Sequence, residues 1–205
     1  MNYLTFRDKL YPSGCFNINQ VLLWESDFDR NNLTRWCKQG LLTKLRNEHY
    51  AFPDFLQTPD SWQYVANSIY SPSYISLHTA LSFYGIIPEE VTSVTSITTL
   101  KPATFRTPFC TFVYQSVKTA LFFGFETKLL QNRRAVRIAT PEKALLDLLY
   151  LNSFYKSEND MLELRLDEDF LQTELDLDRM EEFLAQFKNK SLEKRVHVLR
   201  KTYDI

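Results

Sequence analysis

The sequence predicts an α+β protein in two parts: a small unit of three helices and a hairpin over residues 1–56, and a mixed α/β unit over 57–205 that ends in amphipathic helices. Three observations predict it. Apolar residues in the first forty positions recur at i, i+3 and i+4, the period of helices with one buried face. From Val91 to Thr140 β-branched and aromatic residues take over, as strands require. Residues 156–205 contain no Gly and no Pro and return to helical spacing.

Taken in order, residues 2–10 form a short amphipathic helix with Tyr3, Leu4 and Leu10 facing inward, ended by Pro12-Ser13-Gly14. Asn17 is a good N-cap, Gln20 stands three residues later where a capping box needs it, and Phe16 and Val21 stand where a hydrophobic staple closes. That helix runs to about Trp24 and buries Ile18, Val21 and Leu22. A third helix starts near Asp27 or Asp29 and stops at Gly40, its C′ residue. Leu33, Trp36 and Cys37 make its buried stripe. At ~100° per residue the opposite face carries Asn31, Thr34, Arg35 and Lys38. Leu41–Arg46 and His49–Phe52 read as two strands joined by a tight turn at Asn47-Glu48, and Pro53 ends the unit.

Helix, helix, helix, hairpin is the winged helix-turn-helix arrangement, in which the last helix enters the major groove and the hairpin lies along the backbone. Asn31 and Thr34 are then the base-reading candidates. Arg35 and Lys38, with Lys44 and Arg46 on the hairpin, are the phosphate-binding ones. Residues 1–53 hold seven Lys/Arg against five Asp/Glu, so distribution carries the argument: the acids Glu25, Asp27 and Asp29 lie before or at the helix start. The bland alternative is a helical cap with a solvated polar face.

In the second unit, Thr58 caps and Pro59 opens a helix with Trp62, Val65, Ala66 and Ile69 on one face. Ser73 or Ser76 caps the next, which buries Leu77, Ala80, Leu81 and Tyr84 and closes at Gly85. Strands follow around Val94–Thr99, Phe109–Tyr114 and Val136–Ile138. Thr140 then caps a helix with Pro141 at N1, Glu142 in its first turn and Ala144, Leu145, Leu148 and Leu149 buried. Met180, Phe183, Leu184 and Phe187 mark one late helix; Leu192, Val196, Leu199 and Tyr203 mark the last, behind Ser191. Residues 156–205 hold nine Lys/Arg against thirteen Asp/Glu, either a partner-binding surface or a solvated face.

Composition narrows the function classes. The 205 residues carry a formal net charge of −1, so any nucleic-acid contact depends on local charge placement. No stretch approaches the ~20 apolar residues of a membrane helix. Arg7, Asp8 and Lys9 occupy the place of a signal peptide's apolar run. Cys15, Cys37 and Cys110 are odd in number and widely spaced, which fits reduced thiols in the cytoplasm. His49, His78 and His197 are too scattered for a joint metal site, and neither a P-loop, a G-x-G-x-x-G nor a G-x-S-x-G occurs. No enzyme and no cofactor is expected. The rival chemistry is a metal-dependent nuclease built on Glu126-Thr127-Lys128. Alternation puts Glu126 and Lys128 on one strand face, and the missing carboxylate would come from Asp54, Asp60, Glu89 or Glu90.

Two long blocks carry a family likeness. Ser71-Pro72-Ser73-Tyr74-Ile75-Ser76-Leu77-His78-Thr79-Ala80-Leu81-Ser82-Phe83-Tyr84-Gly85-Ile86-Ile87-Pro88 and Ile138-Ala139-Thr140-Pro141-Glu142-Lys143-Ala144-Leu145-Leu146-Asp147 resemble the hallmark blocks of AbiEi-type antitoxins, over roughly residues 15–155. The resemblance implies a bacterial antitoxin of a type IV (abortive infection) toxin–antitoxin pair. Such a protein represses its own operon by binding double-stranded operator DNA. It counteracts a nucleotidyltransferase-like toxin through its C-terminal domain, without requiring a stable complex. Glu142 and Lys143 would be its toxin-neutralising contact, the alternative being that Glu142 only favours the start of its helix. The hairpin departs from the family pattern: Arg46-Asn47-Glu48-His49 stands where a glycine is usual, and Asn47 is the residue that tolerates positive φ. The alternative is a protein-interaction module that uses the small unit as scaffold.

Overall fold

The computed structural model describes residues 1–89, 92–130 and 134–205; Glu90 and Val91, named above, lie outside them. With 48% helix and 20% strand it is a mixed α+β chain.

Helix α1 (Tyr3–Leu10) is capped by Asn2, whose Oδ1 accepts from Thr5 N at 2.9 Å. Its anchor is Phe6, fully buried among the rings of Phe16, Phe28, Trp36 and Phe52. Leu4, expected inside, is 70% exposed. Phe6 and Leu10 share the i, i+4 face, and two residues of helical rotation carry Leu4 away from it. Tyr3 lies at the margin and donates its hydroxyl to Leu41 O at 3.0 Å.

A 3-10 turn (Tyr11–Ser13) and Gly14 at φ +69° lead into strand β1 (Cys15–Asn17), which the sequence did not announce. A Cβ on Gly14 would meet the Phe55 ring at 2.8 Å, so both backbone and packing require glycine there. Helix α2 (Ile18–Trp24) carries the expected Asn17–Gln20 capping box. Helix α3 (Asn31–Lys38) begins where Asp29 Oδ1 accepts from Asn31 N at 2.9 Å, and closes at Gly40 (φ +72°). Strands β2 (Thr43–Arg46) and β3 (His49–Ala51) form the hairpin, and β1 pairs with β3 to give the antiparallel order β1-β3-β2. The positive φ of the turn falls on Glu48 (+62°), not on Asn47. Glu48 is held there from two sides: its carbonyl accepts from Ile18 N at 2.9 Å and its carboxylate lies 3.7 Å from Arg30. Pro53 opens a further short helix, α4 (Pro53–Leu56).

Helix α5 (Ser61–Ile69) starts later than expected, because Asp60 adopts φ +59° and breaks the chain between Pro59 and the helix. A second missed strand, β4 (Ser73–Ile75), precedes α6 (Leu77–Phe83). Strands β5 (Ser93–Thr98), β6 (Ala103–Arg106), β7 (Thr111–Ser116), β8 (Phe125–Leu129) and β9 (Ala135–Ala139) complete a six-stranded sheet in the order β6-β7-β5-β4-β9-β8. The β4–β9 and β5–β7 pairs are parallel and the other pairs antiparallel. Helix α7 (Pro141–Leu151) follows β9, capped by Thr140 with Pro141 in its first turn as the sequence requires. Short helices α8 (Glu158–Leu162) and α9 (Glu168–Thr173) lead to α10 (Leu177–Phe187) and α11 (Lys190–Tyr203), both packed on α7. The cap of α11 is Asn189, whose Oδ1 accepts from Leu192 N at 3.0 Å; Ser191 is already inside the helix.

Candidate nucleic-acid interface

Helix α3 is one-sided. Leu33 and Trp36 are each 2% exposed, whereas Asn31, Thr34, Arg35 and Lys38 all stand in solvent on the opposite face. Lys44 on β2 is exposed as well, and its charge reaches Cys37 on the flank of α3. None of Arg35, Lys38 and Lys44 forms an ion pair with an acid among the described residues. The acids Asp27 and Asp29 lie ahead of the helix, where Asp29 Oδ1 accepts from Asn31 N. Asn32 is a contributor the sequence did not single out. It is 8% exposed, and its Oδ1 accepts from Arg35 Nη2 at 2.7 Å, which fixes the guanidinium against the helix surface. The i, i+3 spacing of Asn32 and Arg35 was the available signal.

Arg46 is placed differently. Its Nη1 donates to Ile69 O at 2.8 Å, and its guanidinium lies 4.6 Å from the Phe105 ring centroid and 5.5 Å from that of Tyr70. The side chain therefore joins the hairpin to α5 and β6. A reciprocal contact runs the other way. Arg134, just before β9, donates to Pro12 O at 2.9 Å and lies 4.4 Å over Phe55 and 5.3 Å over Tyr64. The two arginines each join the N-terminal unit to the second one, Arg46 from the hairpin and Arg134 onto the 3-10 turn and α4.

Glu142 and Lys143 lie inside. Glu142 is 1% exposed; its Oε1 accepts from Asp176 N at 3.1 Å, which ties α7 to the start of α10, and Arg179 lies 3.7 Å from Oε2. Lys143 is fully buried and bonds Asp147, one helical turn on, while donating to Tyr74 Oη at 2.9 Å. Tyr74 in turn donates to Asp147 Oδ2 at 2.9 Å, and Ser76 Oγ donates to the same oxygen at 2.8 Å. The ammonium lies 5.0 Å from the ring centroids of both Phe123 and Phe187. Burial pulls the Lys143 ammonium below its usual range and pushes the Asp147 carboxyl above its own, each opposed by the partner's charge. A Cβ on Gly124 would meet Lys143 Cγ at 2.9 Å. In this arrangement neither residue offers an atom to a partner's surface.

Glu126 and Lys128 share one face of edge strand β8, as alternation requires, and pair with each other at 2.8 Å. The carboxylates considered with them are elsewhere: Asp54 pairs with Arg7 at 2.6 Å, Glu89 with Arg165 at 3.1 Å, and Asp60 forms the left-handed turn before α5. Among the described residues no three His, Cys, Asp or Glu side chains converge as metal ligands would. Among the described residues no helix is long and apolar enough to cross a membrane. The C-terminal acidity is segregated. Residues 158–182 hold eleven acids against two bases, and 188–201 six bases against one acid. Lys201–Glu158 at 2.5 Å and Arg200–Glu181 at 2.6 Å tie the basic helix α11 back to α8 and α10. No family model matches the chain, and no curated protein matches it.

Proposed function

We propose that the N-terminal unit is a winged helix-turn-helix that binds double-stranded DNA, with α3 in the major groove. The observation that carries this reading is the outer face of α3, where Asn31, Thr34, Arg35 and Lys38 stand exposed together and no acid neutralises the two cations among the described residues. Asn31 and Thr34 have the donors and acceptors for base edges, and Arg35, pre-oriented by Asn32, has the planar fork that suits phosphate or guanine. Lys44 is the hairpin's phosphate contact. Arg46, engaged with Ile69 O, is withdrawn from that role. The transcriptional part of the function, repression of its own operator, is proposed on the resemblance to AbiEi-type antitoxins. The counteraction of a nucleotidyltransferase-like toxin is proposed on the resemblance of the two blocks around β4–α6 and β9–α7. Since Glu142 and Lys143 are internal, that activity belongs to the surface those blocks support.

The test is a titration of the full chain against its own upstream DNA at two salt concentrations, beside an Arg35→Ala/Lys38→Ala variant. Binding that weakens steeply with salt and is lost in the variant supports the reading. Absence of binding at low salt leaves a protein-interaction module, with the acidic surface of residues 158–182 as the first place to seek a basic partner.

A further inference from the structure

Between the small sheet and α5 lies an open cavity of about 450 Å³, within the size range of small-ligand sites. One wall is the start of α2 and strand β3, with Asn17, Gln20 and His49; the other is α5, with Tyr64, Asn67 and Ser68. No Asp, Glu, Lys or Arg lines it. Three side-chain amides, an imidazole and hydroxyls do, beside the ring of Tyr64. Two amide donors are uncommitted. Asn67 Oδ1 accepts from Arg137 N at 2.6 Å, but its Nδ2 is buried and has no partner among the described residues. Gln20 uses Oε1 to accept from Asn17 N at 2.7 Å, and its Nε2 is likewise without a partner among them.

His49 adds an acceptor-side constraint. Its Nδ1 lies 2.9 Å from Asn47 O, which can only accept, so Nδ1 carries the proton. Nε2 is then an acceptor, 3.2 Å from Asn17 Nδ2. Burial pulls the imidazole below its usual range, in keeping with a neutral ring. The wall is thus neutral and amide-rich, with the aromatic rings of Phe16 and Tyr64. The amide oxygens of Asn17, Gln20 and Asn67 already accept within the protein, so the wall offers a ligand chiefly N–H donors, which suit the carbonyl and ring-nitrogen acceptors of a nucleobase, and bases stack on aromatic side chains. At the rim, Arg137 Nη2 lies 3.3 Å from Ser71 Oγ, and its guanidinium has no acidic partner among the described residues.

We propose that this cavity binds a nucleobase, presented as a nucleoside or as a nucleotide whose phosphate reaches Arg137, and that the ligand sets the affinity of the small unit for DNA. The second half rests on the DNA-binding reading above. Its physical basis is position: a base in the cavity touches the start of α2 and the hairpin on one side and α5 on the other, and so braces the hairpin against the large unit.

The first experiment is calorimetric titration of the full chain, without DNA, with adenosine, guanosine, cytidine and uridine and with their 5′-monophosphates. Saturable one-to-one binding of one base, weakened at least about tenfold by Ser68→Phe, is expected. Ser68 is exposed and its hydroxyl donates to Tyr64 O within its own helix, so this substitution plugs the cavity at a surface position. A preference for the monophosphate that disappears in Arg137→Ala assigns a nucleotide; equal binding of both forms assigns the nucleoside. No binding by any of the eight, or binding indifferent to Ser68→Phe, overturns the site. The DNA titration is then repeated with the ligand saturating. A shift in DNA affinity that Ser68→Phe abolishes supports the coupling, and an unchanged affinity overturns it. Ligand binding without any DNA binding overturns the DNA reading and leaves the cavity assigned.

Discussion

Helices α3 and α7 both carry polar residues singled out from the sequence, and the fold treats them in opposite ways. α3 lies at the surface with one wet face, so Arg35 and Lys38 stand in solvent while Leu33 and Trp36 are buried. α7 is covered on every side, by α6, β9, α10 and α11, and buries Glu142, Lys143 and Asp147 along with its leucines. A charge on α3 is available to a ligand. A charge on α7 has to be satisfied by the protein itself, and the Lys143–Asp147–Tyr74–Ser76 network does so. The lesson is that a polar residue at helical spacing indicates function only where the helix has a single solvent-facing side.

Substitutions test this contrast. The largest effect is expected at Lys143→Met, which leaves Asp147 buried without its cation and should lower unfolding free energy by about 3–5 kcal/mol in a denaturant melt. Lys143→Met/Asp147→Leu should recover much of that loss; no recovery would mean that the pair is not what α7 depends on. Arg46→Ala removes one buried-end hydrogen bond and two ring contacts, and should cost roughly 1–3 kcal/mol while leaving the salt slope of DNA binding unaltered. A reduced slope would return Arg46 to the phosphate-binding set. Arg35→Ala/Lys38→Ala should do the reverse, with stability lowered by about 1 kcal/mol, the worth of the Arg35–Asn32 hydrogen bond, and a salt slope lowered by about 2. Glu126→Ala, on an exposed strand pair, should change stability by about 0.5 kcal/mol or less.

A pH series bears on the hairpin that lies between these extremes. His49 is held neutral, with its affinity for a proton lowered by burial. The unfolded chain then binds a proton at higher pH than the folded one, so stability is complete above the ordinary histidine value and falls as pH drops below it. The stability advantage of the parent over His49→Gln should shrink as pH is lowered from about 7 to about 5. An advantage that grows would mean that the folded imidazole is the better base.

Features set by neighbouring residues were legible in the sequence. The Asn17–Gln20 capping box, the Thr140–Pro141 helix start, Gly40 at the end of α3 and the outer face of α3 all depend on residues within one or two turns. Features set at a distance were not. β1 and β4 have three residues each and owe their strand character to β3, β5 and β9. A three-residue run has too little alternation to be recognised. The i, i+4 spacing of Lys143 and Asp147 is the same for a surface pair as for a buried one; the rings of Phe123 and Phe187 decide between them. Lys44 and Arg46 look equivalent in the hairpin, and only the proximity of Phe105 and Ile69 separates the exposed cation from the engaged one.

The opposed contacts of Arg46 and Arg134 bear on how far the N-terminal unit can be treated as a transplantable module. Cutting the chain between residues 56 and 57 separates Arg46 from Ile69 O and the rings of Tyr70 and Phe105, and Arg134 from Pro12 O and the ring of Phe55. A graft of residues 1–56 onto another body keeps the α3 face but inherits an unmatched guanidinium beneath its hairpin. Recombination that conserves this protein's behaviour must therefore carry both arginines with their acceptors, and homologous exchange should fall outside the clasped segment spanning Pro12 to Arg134.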